Sequence, residues 1–409
     1  MALLDLAPRS FEEYAAVGGG DGLRIALGAW PEAVIEEVAR SGLRGRGGAG
    51  FPTGEKWRAV RSVGAGPRFA VCNAAEGEPA TFKDRTLLRT NPYQVLEGLA
   101  IAAHAVGAER AFIGLKEAFI PETEALGRAL KEMQAADSLG KIPIEIVLGP
   151  DLYLFGEETG LEEVIEERPP LPRTVRPYIQ GLFATPPDDN PTLVNNVETL
   201  ANVPRIVAKG AEWFRGFGTE QSPGTKVVSV SGCVRRPGNY EVELGIPTRE
   251  LIYDLAGGPE QGHEIKAFFP GGSSSPVLKA EEGLDLPYSF EAMAEAGSML
   301  GSGSVIVADD RVSIPHMALR TARFYHHESC GKCTPCREGT NWTVKMLERV
   351  VRGEATPMDL DIVASVQENI IGHCLCVLGD SMAMPVGAMV RKFRGEFEAV
   401  IAAGQAVAA

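Results

Sequence analysis

Cys330-Gly-Lys-Cys333-Thr-Pro-Cys336, followed farther along by His373-Cys374-Leu-Cys376, is the stretch from which the rest of the chain can be read. Three thiols at three-residue intervals plus one distant thiol form the ligand set of a cubane 4Fe–4S cluster, which takes four thiolates. The compact turn supplies three corners, and the remote cysteine ties that turn to another part of the fold. On the residues alone the fourth ligand stays open between Cys374 and Cys376. Zinc is the competing reading, but it favours separated CxxC pairs or admixed histidines. A disulfide framework does not suit a long chain with only 7 Cys and no secretory signal.

At 409 residues the chain exceeds one ordinary core, and about two to four domains are expected. An apolar content of 44% is that of a globular protein, and a net charge of −14 argues against nucleic acid or an anionic membrane surface as partner. A local basic cluster, Arg40, Arg44, Arg46 and Lys56, still suits an anionic ligand. The first residues lack a basic segment followed by an apolar core, and no apolar run approaches the roughly 18 residues of a membrane helix. The expectation is a cytoplasmic protein with reduced thiols and no direct membrane insertion.

Residues 1–30, with the run Gly18-Gly-Gly-Asp-Gly22, read as a loose N-terminal arm. Apolar residues at helical spacing predict a helix over 31–41. Next comes Gly42-Leu-Arg-Gly45-Arg46-Gly47-Gly48-Ala-Gly50-Phe51-Pro-Thr-Gly54-Glu-Lys56. It contains G-x-G-x-x-G, but a helix precedes it where the dinucleotide fingerprint needs a strand. So many glycines mean a backbone that comes close to something, and with Arg46 and Lys56 a phosphate or a flavin fits. Strands near 68–72, 110–115 and 142–147 alternate with helices at 91–106 and 122–134, an α/β pattern. The polar turn Asn73-Ala-Ala-Glu76-Gly-Glu78-Pro79 follows the first strand, where open α/β sheets place ligands. From 226 the pattern changes to short strands around one helix, a small α+β module ending near 309. Pro270-Gly-Gly-Ser-Ser-Ser-Pro276 lacks the Gly-Lys-Ser/Thr ending of a phosphate loop and reads as a structural turn. Residues 310–409 are helical, with helices expected at 312–326, 339–352, 358–371 and 384–402, closed around one metal cluster.

These pieces together resemble the NADH-oxidising flavoprotein subunit of respiratory complex I and its relatives in NAD-linked hydrogenases, formate dehydrogenases and bifurcating complexes. The resemblance is carried by 41–54, by Phe82-Lys-Asp-Arg85, Gly156-Glu-Glu-Thr159 and Asn195-Asn-Val-Glu-Thr-Leu200, and by Glu328–Glu338 around the cysteines. It implies a Rossmann-like α/β FMN domain at 31–225, a ubiquitin-like β-grasp module at 226–309 and a helical bundle with a 4Fe–4S cluster at 310–409. By resemblance Gly45, Arg46, Gly47, Gly48, Lys56, Asn73, Glu76, Tyr153, Gly156, Glu157, Asn195, Asn196 and Thr199 bind FMN. Phe51, Glu78, Glu158 and Tyr178 would contact NADH. Cys330, Cys333, Cys336 and, by the family's Cys-x-Leu-x-Asp pattern, Cys376 would ligate the cluster. The implied activity is NADH dehydrogenation: hydride passes between NADH and FMN and single electrons pass on through the cluster, with no side chain acting as acid or base. Implied partners are a thioredoxin-like 2Fe–2S subunit and further iron–sulfur subunits. Two departures stand out: Ala75 replaces a usual Asp, and Gly77 a usual Ser. They imply a paralogue with an altered nucleotide grip.

Overall fold

Four apolar runs pair as parallel strands: β1 (Phe69–Ala74), β2 (Arg110–Lys116), β3 (Ile144–Gly149) and β4 (Thr192–Asn196), in the order β3-β2-β1-β4. Alternate residues of β1 divide the two faces. Ala70, Cys72 and Ala74 join the core formed with helices Pro92–Val106 and Val197–Lys209, while Phe69 and Val71 pack with Leu161 and Leu182. Because β2 and β4 flank β1 on opposite sides, the topological switch point lies between β1 and β4, where such sheets bind ligands. Asn73 and Asn196 face each other there in register, at the carboxyl ends of the two strands. The computed structural model describes residues 3–64, 66–185 and 187–408; residues 1, 2, 65, 186 and 409, at the outer ends of the expected arm and bundle among other places, lie outside it.

The N-terminal segment is no loose arm. Helices Phe11–Ala16 and Asp21–Leu27 pack on the α/β domain, where Tyr14 stacks on Tyr93 at 5.7 Å between centroids. Glu97 fixes them: its carboxylate accepts from the Tyr14 hydroxyl at 2.5 Å and from the N–H groups of Gly20 and Leu23 at 2.8 and 2.9 Å. Here the glycine run marks close approach: a Cβ at Gly19 would fall 2.3 Å from the Tyr14 ring.

A second, mixed sheet has the order β6-β5-β9-β7-β8, from β5 (Thr225–Gly232), β6 (Gly238–Glu243), β7 (Ile265–Phe269), β8 (Leu278–Lys279) and β9 (Ser304–Asp309). Its core is its own, built on Val228, Val230, Leu251, Ile252 and Phe268. Five helices follow: Ile314–Glu328, Thr334–Val351, Pro357–Ile370, Leu378–Lys392 and Arg394–Ala408. The helix expected at 384–402 is two helices, and the first begins six residues earlier than the pattern suggested. That start places Cys376 immediately before a helix. Among the described residues no helix is long and apolar enough to cross a membrane.

Candidate functional site

The glycine stretch is pinched shut at its base: the Gly45 N–H donates to the Phe51 carbonyl and the Thr53 N–H to the Leu43 carbonyl, both at 2.8 Å. At its tip, Gly47 lies against Asn196, where a Cβ would come within 3.0 Å of the Asn196 Cβ. Gly48, at φ +155, would meet nothing within 4 Å, so its backbone faces open space. The Arg46 N–H donates to the Thr199 hydroxyl at 2.8 Å, which locks the loop to helix Val197–Lys209.

Below the loop lies a cleft of about 400 Å³ at the switch point. Gly47, Gly48, Asn73, Glu76, Glu78, Tyr153, Gly156, Glu157 and Asn196 line it, as does Cys376. The Asn73 side-chain amide donates to the Gly156 carbonyl at 2.8 Å, which ties β1 to the turn carrying Tyr153. Glu76 accepts from the Asp84 and Arg85 N–H groups at 2.9 and 3.2 Å, capping helix Lys83–Thr90 where the helix dipole favours an anion. Burial, reinforced by Asp84, pushes the Glu76 carboxyl above its ordinary range. Glu157 caps helix Glu158–Ile165 through the N–H groups of Thr159 and Gly160.

Other expected residues stand back from the cleft. Gly45, Arg46, Asn195 and Thr199 support it from behind, and Asn195 accepts from the Trp57 indole N–H at 2.7 Å. The Arg46 guanidinium is fully buried, donating to the Pro223 carbonyl at 3.1 Å and lying 5.7 Å from the Phe290 ring centroid. Lys56 and Glu158 form an ion pair with each other. Phe51 is exposed beside the loop, and Tyr178 is exposed outside the cleft lining. Arg173 is held by Glu162, Glu163 and Glu166.

The cleft also contains residues to which the sequence assigned no role. Lys83 and Asp84 lie on its floor, paired at 2.7 Å, and Asn196 donates to Asp84 at 2.6 Å. The run Phe82-Lys-Asp-Arg85 was the available signal. Ser274, Met299, Gly301 and Ser302 enter from the β-grasp module, and Asp380, Ser381 and Met384 from the bundle. The Pro270–Pro276 segment is therefore more than a structural turn. Where Gly77 stands, a Cβ would lie 3.2 Å from the Lys116 ammonium nitrogen and 3.4 Å from the Tyr153 ring. The space of the usual serine is partly filled by these two side chains.

Beside the cleft, Cys330, Cys333, Cys336, Cys374 and Cys376 surround a small cavity closed by Leu154, Ser329, Lys332 and Leu378. Cys336 is buried in the first turn of helix Thr334–Val351, while Cys330 and Cys333 precede it. The Leu375 N–H donates to the Cys333 sulfur at 3.2 Å, and the Ser329 hydroxyl lies 3.2 Å from the Cys336 sulfur. Among the described residues, the one His/Cys/Asp/Glu group whose ligand atoms all lie within 4.8 Å of one another is His263, Asp309 and Asp310, remote from the cysteines. Sulfurs on a tetrahedral zinc, at Zn–S of about 2.3 Å, stand about 3.8 Å apart. Among the described residues no three of the cysteine sulfurs all lie within 4.8 Å of one another.

Three family models match the chain: a Nuo51 FMN-binding domain over residues 38–205, an SLBB domain over 227–278 and an NADH-ubiquinone oxidoreductase-F iron-sulfur binding region over 316–400. The second F subunit (F 2) of the NADH-quinone oxidoreductase of Rhizobium meliloti is 44% identical over 399 residues, 95% of this chain and 93% of its own length. The corresponding F subunit of Streptomyces coelicolor is 42% identical over 95% of this chain and 87% of its own. Among solved structures, an NAD+-reducing [NiFe]-hydrogenase in the air-oxidized state superposes with a TM-score of 0.82 at 39% identity. That match takes in 91% of this chain and 63% of the hydrogenase chain. Its H2-reduced counterpart gives 0.84 at 36% identity. The glycine loop at a switch point, the neighbouring cysteine cavity and this agreement along the chain lead to one conclusion: the chain belongs to the family of NADH-quinone oxidoreductase F subunits.

Proposed function

We propose that this chain is the electron-input flavoprotein of a multi-subunit oxidoreductase, an NADH dehydrogenase that holds FMN in the cleft and a 4Fe–4S cluster among the cysteines. One observation carries the reading: Leu154, Cys376 and Leu378 belong to the walls of both the cleft and the cysteine cavity. A redox group in one therefore lies against a redox group in the other. When bound, FMN supplies the chemistry, taking a hydride from NADH and releasing electrons singly. The chain's own residues bind, orient and exclude water. Gly47 and Gly48 bring backbone N–H groups to the cleft, and Asn73, Glu76, Gly156, Glu157 and Asn196 shape the flavin's bed, with Gly45, Arg46, Asn195 and Thr199 bracing it. Lys56 adds a cation at the side, and Tyr153 and Glu78 border the face open to the nicotinamide. Phe51, Glu158 and Tyr178 are assigned to the nucleotide's outer part, where a carboxylate at Glu158 would repel a 2′-phosphate and favour NADH. Cys330, Cys333, Cys336 and Cys376 are the proposed cluster ligands.

Membership of this family implies iron–sulfur partners, and a thioredoxin-like 2Fe–2S subunit is the specific partner proposed. A cytoplasmic location follows from the same reading, with attachment to a membrane face only through partners. The alternative of an electron-transfer scaffold with a vestigial nucleotide site is tested directly. Anaerobic protein mixed with NADH should lose its flavin absorbance; failure to bleach with either NADH or NADPH would overturn the enzyme reading.

A further inference from the structure

Glu78 has ordered neighbours that none of the motifs explains. Its carboxylate accepts from the Tyr153 hydroxyl at 2.7 Å through one oxygen. The other oxygen accepts from the Ser274 N–H at 2.9 Å and from the Ser273 hydroxyl at 3.1 Å. Ser273 is itself 2.8 Å from the Tyr325 hydroxyl, which lies 3.4 Å from the same carboxylate oxygen. A consistent set of donors runs Tyr325 to Ser273 to Glu78. Each hydroxyl then gives one proton, and none is left unpaired inside a buried site.

The three participants come from three structural units. Glu78 follows β1 of the α/β domain, Ser273 lies in the β-grasp turn and Tyr325 on bundle helix Ile314–Glu328. The same helix also grips the turn opposite: Glu328 accepts from the Tyr153 N–H at 2.9 Å, and the Tyr325 ring meets the Tyr153 ring edge-on at 5.8 Å. Packing around the carboxylate is tight. Gly272 has φ +99, and a Cβ there would lie 2.7 Å from a Glu78 oxygen and 2.8 Å from its Cγ. Ser273 and Tyr325 are nearly or fully buried, so this is no solvated contact.

We propose that Ser273 and Tyr325 are positioning residues for Glu78, so that the nicotinamide end of the cleft takes its working shape only when the β-grasp module and the bundle are docked on the α/β domain. The inference rests on the reading of Glu78 as a nucleotide contact. A carboxylate anchored by three donors, one of them held in turn by Tyr325, keeps one orientation toward the incoming NADH. Loss of the Ser273 or Tyr325 hydroxyl frees it to rotate without removing its charge.

The test uses the complete chain with its cofactors, comparing Ser273→Ala, Tyr325→Phe and Glu78→Gln alone and in pairs. Each single hydroxyl deletion should raise the KM for NADH about tenfold, the scale of one hydrogen bond to a charged group, with FMN and iron content unchanged. Because both residues act through Glu78, adding either to Glu78→Gln should cost nothing further. Gly272→Ala, which displaces the carboxylate sterically, should reproduce the KM effect. If Glu78→Gln raises KM but Ser273→Ala and Tyr325→Phe do not, or if their effects add to it, the positioning role is overturned while the nucleotide reading stands. If Glu78→Gln leaves KM unchanged, the assignment of Glu78 to NADH fails, and this inference with it.

Discussion

Cys376→Ala should strip the cluster from the chain while Cys374→Ala retains it. Iron and sulfide fall toward zero in the first variant and stay at about four per chain in the second, with the broad visible band following. Both thiols border the cysteine cavity, so proximity alone does not choose between them. Their surroundings do. Cys376 lies on the wall shared with the cleft, just ahead of helix Leu378–Lys392, where a sulfur that held the cluster would stand between the two proposed redox sites. Cys374 is turned toward the Ile370 carbonyl, 3.8 Å away, and its sulfur would lie 2.8 Å from a Cβ at Gly379. It is packed beneath the start of the helix. Removing that sulfur leaves a small void, at a cost of roughly 1 kcal/mol. Removing a ligand forfeits a thiolate–iron bond. Iron retained in Cys376→Ala and lost in Cys374→Ala would refute the assignment.

What the sequence could say about this site followed the range of each signal. The spacing of Cys330, Cys333 and Cys336 is local, so it was readable. The ligand turn after β1 was readable because strand, turn and helix lie consecutively in the chain. Gly18–Gly20 misled, because a glycine run has one appearance whether it is loose or, as here, pressed against a ring like that of Tyr14. The Pro270–Pro276 segment misled for a different reason. Its Ser273 meets Glu78 across 195 positions, and nothing near either residue announces the other. Lys83, Asp84, Glu198 and Lys226 are the same case: charged residues are mostly exposed, and only the folded chain shows these four buried as partners.

That buried group carries the second large prediction: Lys226→Met should lower stability by about 3 kcal/mol, the lower end for breaking a buried pair, and weaken flavin retention with it. Lys226 on β5 is fully buried, and its ammonium donates to Glu198 at 2.7 Å and to the Arg46 carbonyl at 3.1 Å. Glu198 also pairs with Lys83 at 2.9 Å and accepts from the Val227 N–H at 2.8 Å. The β-grasp sheet is thereby bolted to the residue preceding Gly47, so the ammonium holds the loop that borders the cleft. Burial alone would raise the Glu198 carboxyl, but Lys226, Lys83 and Arg46 outweigh it and bring it down from 4.5 to about 2. A carboxyl depressed in the folded state contributes stability that is fully present above about pH 4.5 and is lost as pH falls toward 2. Without Lys226 the Glu198 carboxyl rises back toward its ordinary value, so the variant should lose less stability than the parent chain between pH 4.5 and 2, and the difference between the two should narrow as pH falls. Lys83 remains as a partner for Glu198, which keeps the cost near the lower end and lets the variant fold for measurement. Urea midpoints at a series of pH values, together with flavin retained through gel filtration, read both effects. Coincident acid profiles for variant and parent would show that Lys226 does not hold the Glu198 charge, and unchanged flavin retention would separate the bolt from the loop.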